Sequence, residues 1–218
     1  MIEALIFDFD GLILDTEGPD YRSWREVYRS YGFPLPLSKW VECIGSADVW
    51  DVYEYLEELL GRPVDRELIR ASRRAQFNEW IARQPLLPGV EEYIAGAQRL
   101  GLRLGLASSS SREWVTGHLT RLGLGAHFEH IRCQEDVART KPDPALYLET
   151  LRALDVRADQ AIALEDSLNG VLAAKGAGLF CVAVPNALIR HLDFCPADLR
   201  LDSLADLPLE DLLALASE

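Results

Sequence analysis

Residues 4–12 read Ala4-Leu5-Ile6-Phe7-Asp8-Phe9-Asp10-Gly11-Leu12. A short apolar run that closes on acidic residues and a glycine has the pattern of a strand buried on both faces of a parallel sheet, here over Ala4–Phe9. Leu102–Ala107, Ala161–Leu164 and Phe180–Val184 repeat the pattern. Between these runs, Val90–Leu100, Glu113–Leu122, Ala145–Leu154 and Leu168–Lys175 carry helical periodicity. Gly101, Gly123 and Gly176 follow the helical stretches, where a left-handed terminal residue is expected. Strand and helix alternate, which predicts an α/β fold with a doubly wound parallel sheet.

From about Thr16 to Leu87 the rhythm changes. Helical patterns run over Tyr21–Tyr31, Asp48–Leu60 and Asp65–Arg83, with no convincing strand. Gly18-Pro19 at one end and Pro85 with Pro88-Gly89 at the other mark the crossings as short hinges. The expected organisation is a Rossmann-like core of residues 1–15 and 88–218 carrying an all-helical cap at 16–87. The insert holds 12 acidic and 10 basic residues, against 23 and 12 in the remainder. It therefore takes a disproportionate share of the arginines.

The chain has 218 residues, 49% of them hydrophobic and 26% charged, the composition of an ordinary globular protein. Its net charge of -13 repels phosphate backbones and anionic lipid, so neither nucleic acid nor a membrane is an expected partner. No run approaches the roughly 20 apolar residues that span a bilayer, and Met1–Phe7 has no signal-peptide pattern. A soluble, cytoplasmic monomer is expected. Cys43, Cys133, Cys181 and Cys195 are too widely spaced for a disulfide framework and read as reduced thiols. His127 and His130, without further ligands, do not make a metal site.

Residues i and i+2 of a strand share a face, so Asp8 and Asp10 are expected to project together beyond the carboxyl edge of the sheet. Paired carboxylates repel, which suggests a cation or a shared proton. Alone, the pair is equally a strand ending in a solvated acidic turn. Glu165-Asp166 closes another strand; one of them would ligate directly and the other through water, although an acidic pair there is also an ordinary helix start. The four carboxylates Asp8, Asp10, Glu165 and Asp166 make an oxygen-rich site suited to Mg²⁺. Ser108, Ser109, Ser110 and Ser111 stand before a helix, as an anion site or as plain capping. Lys141, one of three lysines against 19 arginines, lies between Thr140 and Pro142-Asp143-Pro144. There it is either a surface lysine or a point charge for a carboxylate and a phosphoryl oxygen.

These signals fall on one sheet edge. Together, Asp8-Phe9-Asp10-Gly11-Leu12 with Asp15-Thr16-Glu17, Ser108, Lys141-Pro142-Asp143-Pro144, and Leu164-Glu165-Asp166-Ser167 with Gly170 resemble the haloacid-dehalogenase-like phosphohydrolases. The likeness is to the branch similar to β-phosphoglucomutase and phosphoglycolate phosphatase, and it extends from residue 3 to about 184. It implies that Asp8 attacks phosphorus, that Asp10 is the general acid and base, and that Ser108, Ser109 and Lys141 bind the phosphoryl oxygens. It also implies Mg²⁺ on the Asp8 side chain, the Asp10 carbonyl and Asp166, with Glu165 nearby. The substrate would be a small phosphate monoester, of a phosphosugar or a phosphoacid.

Other functions fit the residues less well. A phosphoryl-accepting switch has no use for a helical insert over the edge, and a dehalogenase needs no acid at Asp10. The rival is a β-phosphoglucomutase-like mutase. In such mutases a cap arginine anchors the distal phosphate and a histidine tunes the acid/base; this chain has Asp48 in Gly45-Ser46-Ala47-Asp48 and Asp20 at those places. Asp48 is expected to disfavour bisphosphates, so hydrolysis is the expected reaction. Asp20, Ile44, Ser46 and Asp48 are the cap residues expected at the substrate. Arg22, Trp24 and Trp50 are candidates too, although Arg22 and Trp24 read equally as helix surface and helix core.

Overall fold

A computed structural model describes residues 1–41 and 51–217. Ile44, Ser46, Asp48 and Trp50, and with them the expected cap contacts of that stretch, lie outside the described residues. The first apolar run forms β1 (Ala4–Phe7), every residue of which is buried. Among the described residues four helices follow: α1 (Glu17–Ser30), α2 (Leu37–Trp40), α3 (Val52–Leu60) and α4 (Arg66–Ala82). The remainder alternates as α5 (Val90–Leu100), β2 (Arg103–Ala107), α6 (Arg112–Arg121), β3 (His130–Arg132) and α7 (Ala145–Leu154). It ends with β4 (Ala161–Glu165), α8 (Leu168–Gly176), β5 (Phe180–Ala183), β6 (Leu199–Arg200) and α9 (Leu209–Leu215).

All strand pairs are parallel, in the order β3-β2-β1-β4-β5-β6. The doubly wound sheet is therefore present, with two strands that the apolar runs do not reveal. β3 and β6 are the outer strands and are only partly buried, so neither carries a continuous apolar run. β1 ends at Phe7, two residues short of the expected Phe9. Gly176 lies inside α8, and the left-handed glycine there is Gly178 (φ 83°).

Side chains alternate across the sheet, and their sizes differ by face. Leu5, Phe7, Leu104, Leu106, Ile162 and Leu164 meet Tyr93, Ile94, Val115, Leu119 and Leu212 from α5, α6 and α9. On the other face the smaller Ala4, Ala161, Ala163 and Ala183 admit Leu146, Tyr147, Leu151 and Val171 from α7 and α8. The C-terminal helix completes the first layer: Tyr93 Oη donates to the Leu207 carbonyl at 2.9 Å, seating α9 on α5. Each buried aliphatic side chain contributes about 1.5–3 kcal/mol, so this two-layer core dominates stability.

Helices α1 and α4 pack on each other around Trp24, Tyr28, Leu56 and Ile69. Their termini follow local chemistry: Asp51 caps α3 by accepting from the backbone of Tyr53 (2.6 Å), and Asp65 caps α4 by accepting from Leu68 (2.9 Å). The helical segment leaves and re-enters the core side by side, since Leu14 bridges Leu86 and the Leu87 N–H donates to Ile13 at 3.0 Å.

Candidate active site

Pairing places Phe7 level with both Leu106 and Leu164, so the next residues of three strands, Asp8, Ala107 and Glu165, emerge at one height. This is where the strand order reverses about β1, the crevice in which doubly wound folds bind ligands. A cavity of about 510 Å³ opens here, lined by Asp8, Asp10, Ser108, Ser109, Lys141 and Asp166 from the core. Glu17, Asp20, Arg73 and Phe77 of α1 and α4 form the facing wall.

The deepest part is a buried charge cluster. Lys141 Nζ lies 2.5 Å from carboxylate oxygens of both Asp8 and Glu165, and Tyr147 Oη donates to Glu165 Oε1 at 2.5 Å. Asn186 Nδ2 donates to Asp166 at 2.7 Å. Asp8, Lys141, Glu165 and Asp166 are all buried, with exposures of 6%, 3%, 0% and 2%. Burial pushes Asp8 up to about 8; Lys141 pulls it down, while Glu165 and Asp10 add to the rise. Asp166 is raised well above the usual range by burial and by its neighbours Asp8 and Glu165. Burial opposes the charge on Lys141, yet the carboxylates of Asp8 and Glu165 outweigh it and hold Lys141 above its ordinary value. Three carboxylates around one ammonium leave a shortage of positive charge.

A divalent cation fits that shortage. Carboxylate oxygens of Asp8, Glu165 and Asp166 lie within 4.8 Å of one another, and oxygen donors suit a hard dication. The backbone is shaped around them: a Cβ on Gly11 (φ 80°) would strike the Asp166 carboxylate, and one on Gly170 would strike Glu165. The Asp10 carboxylate is not in this group. Beyond the end of β1 it turns toward α6, where Oδ1 accepts from Trp114 Nε1 at 2.9 Å and Oδ2 from Ser110 Oγ at 2.6 Å. Asp8 and Asp10 both line the cavity, as expected, but not as residues of one strand face, since β1 has ended before either.

The four serines separate by role. Ser111 caps α6, accepting from the Trp114 N–H at 3.3 Å. Ser108 is buried next to Asp10, its hydroxyl accepting from the Ser110 N–H at 3.0 Å. Ser109 keeps a buried hydroxyl with no partner among the described residues, an open donor for an anion.

On the facing wall Asp20 pairs with Arg73 Nη1, which also donates to Ser23 Oγ at 2.8 Å. Burial raises the Asp20 carboxyl and Arg73 pulls it back. Burial, reinforced by Asp20, Asp10 and Asp8, holds Glu17 well above the usual range. Trp24 is a core residue, and Arg22 lies over the Trp80 ring at 4.1 Å with a largely exposed side chain, so neither lines the cavity. Sequence reasoning did not single out Tyr147, Asn186, Trp114 and Arg73. Trp114 and Tyr147 sit at apolar helical positions, and Arg73 is one of several arginines on α4.

A family model described as haloacid dehalogenase-like hydrolase matches residues 5–184. YhcW of Bacillus subtilis (strain 168), provisionally named a phosphatase, is 46% identical over 213 residues, covering 98% of this chain and 97% of its own. Hexitol phosphatase B of Escherichia coli (strain K12) is 32% identical over 219 residues, covering 97% of each. Among solved structures, a variant of CbbY from Rhodobacter sphaeroides in complex with xylulose-(1,5)bisphosphate superposes with a TM-score of 0.78 at 33% identity, covering 97% of this chain and 99% of that one. With the motifs at the carboxyl edge and a match over most of its length, the chain belongs to the haloacid dehalogenase-like hydrolases.

Proposed function

We propose that this protein is a Mg²⁺-dependent phosphatase that hydrolyses a small phosphate monoester through a phosphoryl group carried on Asp8. The observation that carries this reading is Lys141, buried and 2.5 Å from both Asp8 and Glu165 at the floor of the cavity. Such a lysine favours the ionised form of the nucleophile against the effect of burial and meets the incoming phosphoryl oxygens.

In this reading an Asp8 oxygen attacks phosphorus as the bond to the ester oxygen breaks, and Asp10 gives the leaving alkoxide its proton. Asp10 then takes a proton from water, which attacks phosphorus and releases inorganic phosphate and free Asp8. Ser110 and Trp114 orient Asp10 by holding both of its oxygens. Ser108, Ser109 and Lys141 receive the non-bridging oxygens. Asp8, Asp166 and the Asp10 carbonyl would hold the ion, with Glu165 beside them; when bound it would neutralise phosphoryl charge. Residues 16–87 act as the cap, closing through the paired crossings near Leu14 and Leu86 to exclude bulk water.

Hydrolysis is favoured over mutation because Asp20 is committed to Arg73, at the place where the mutases carry a histidine. The test is phosphate release from a panel of phosphate monoesters with Mg²⁺ and with excess chelator. Release with the ion and none with the chelator is expected; full activity in chelator contradicts the reading.

A further inference from the structure

The cavity's inventory of charge points to the kind of leaving group it takes. Its described lining has five carboxylates, Asp8, Asp10, Glu17, Asp20 and Asp166, against two cations, Lys141 and Arg73. Lys141 is occupied by Asp8 and Glu165. Arg73 is therefore the cation of the distant wall, and it is not free either. Its Nη1 is shared between Asp20 and Ser23, and its guanidinium lies over Trp24 at 4.5 Å and Phe77 at 5.4 Å. Stacking and pairing fix the plane, while Nε stays buried without a partner among the described residues. Residues 42–50 include Glu42 and Asp48 but neither lysine nor arginine, so that stretch adds no cation.

Resting on the phosphatase reading above, we propose that the Asp20–Arg73 pair selects phosphate esters with an uncharged polyhydroxylated leaving group, a sugar or alditol monophosphate. A hydroxyl both accepts and donates, so one hydroxyl can accept from the guanidinium while donating to Asp20. A second phosphate or a carboxylate only accepts, and it brings negative charge against Asp20. Phe77 and Trp114, stacked with centroids 5.8 Å apart, line the apolar side of the same space, against which the carbon skeleton of a polyol can lie.

The experiment compares kcat/KM for glucitol 6-phosphate, glucitol 1,6-bisphosphate and phosphoglycolate in Mg²⁺, using the full chain. The wild type should favour the monophosphate over the bisphosphate and the phosphoacid by about tenfold or more, the scale of one partly screened like-charge contact. Asp20→Asn should narrow that ratio by about tenfold, because it frees Arg73 for an anion. Arg73→Gln should raise KM for the monophosphate more than it lowers kcat. Equal or better turnover of the bisphosphate by the wild type overturns the proposal, as does an Asp20→Asn ratio that does not move. If Asp20→Asn fails to fold, the wild-type ratio still decides. p-Nitrophenyl phosphate, which has no hydroxyl and no second anion, reports on the phosphatase reading alone. Its turnover without any preference among the three esters sinks only the selectivity; no turnover of any ester sinks both.

Discussion

The two walls of the cavity hold charge in different ways. On the sheet side, the side chains of Lys141, Asp8 and Glu165 are 2%, 8% and 0% exposed. On the helical side, Arg73 and Asp20 keep 19% and 32%. Strand register sets the first group, since β1 and β4 deliver Asp8 and Glu165 at one level whatever the side chains prefer. Side-chain pairing sets the second, because α1 and α4 are joined there by Asp20, Arg73 and Ser23. A buried unpaired charge is costly while a half-exposed one is readily replaced. On the proposed reading, chemistry belongs to the sheet wall and selectivity to the helical wall.

The sharpest way to break this division is at its centre. Asp8→Asn should lower kcat by on the order of 10³-fold or more with the fold unchanged, since an amide has nearly the same shape but cannot serve as the nucleophile. Circular dichroism and phosphate release measured together check both halves. Ser108→Ala removes one donor among several and should cost about 10- to 100-fold in kcat. Tyr147→Phe leaves Glu165 with one donor fewer; a loss of about 1–3 kcal/mol is expected in urea unfolding, with activity reduced through misplacement of Lys141.

Gly170→Ala gives a more pointed test. In an ordinary helix this exchange stabilises by about 1 kcal/mol. Here the added Cβ meets the Glu165 carboxylate, so a lower melting temperature and weaker Mg²⁺ activation are expected. The smallest effect lies outside the cavity lining. Arg66, paired with Asp51 at 3.1 Å and Glu57 at 2.6 Å, is 37% exposed, and Arg66→Ala should leave activity unchanged with little shift in melting temperature. A large activity loss there would erase the contrast between the walls.

The same contrast explains what was legible in the sequence. The central strands and the residues closing them are apolar runs with acids at their ends, so β1, β2, β4 and β5 stood out, with Asp8, Ser108, Lys141 and Asp166 beside them. The outer strands β3 (His130–Arg132) and β6 (Leu199–Arg200) are short and half-buried, and no periodicity marks them. Tyr147 and Trp114 look like apolar helical positions until the fold turns their polar atoms toward Glu165 and Asp10. Arg70, Arg73 and Arg74 are indistinguishable in sequence. Only the packing of α4 on α1 turns Arg73 into the cavity.

The central claim is a phosphoryl group on Asp8, and trapping it is the most direct test. The protein with Mg²⁺ is mixed with a turned-over monoester, acid-quenched within one turnover, reduced with borohydride and digested. Mass spectrometry then reads the peptide containing Asp8. The account predicts that Asp8 is converted to homoserine, that the conversion needs both ester and Mg²⁺, and that it is absent from Asp8→Asn. Phosphate release at the wild-type rate by Asp8→Asn, or reduction confined to another carboxylate, would contradict it.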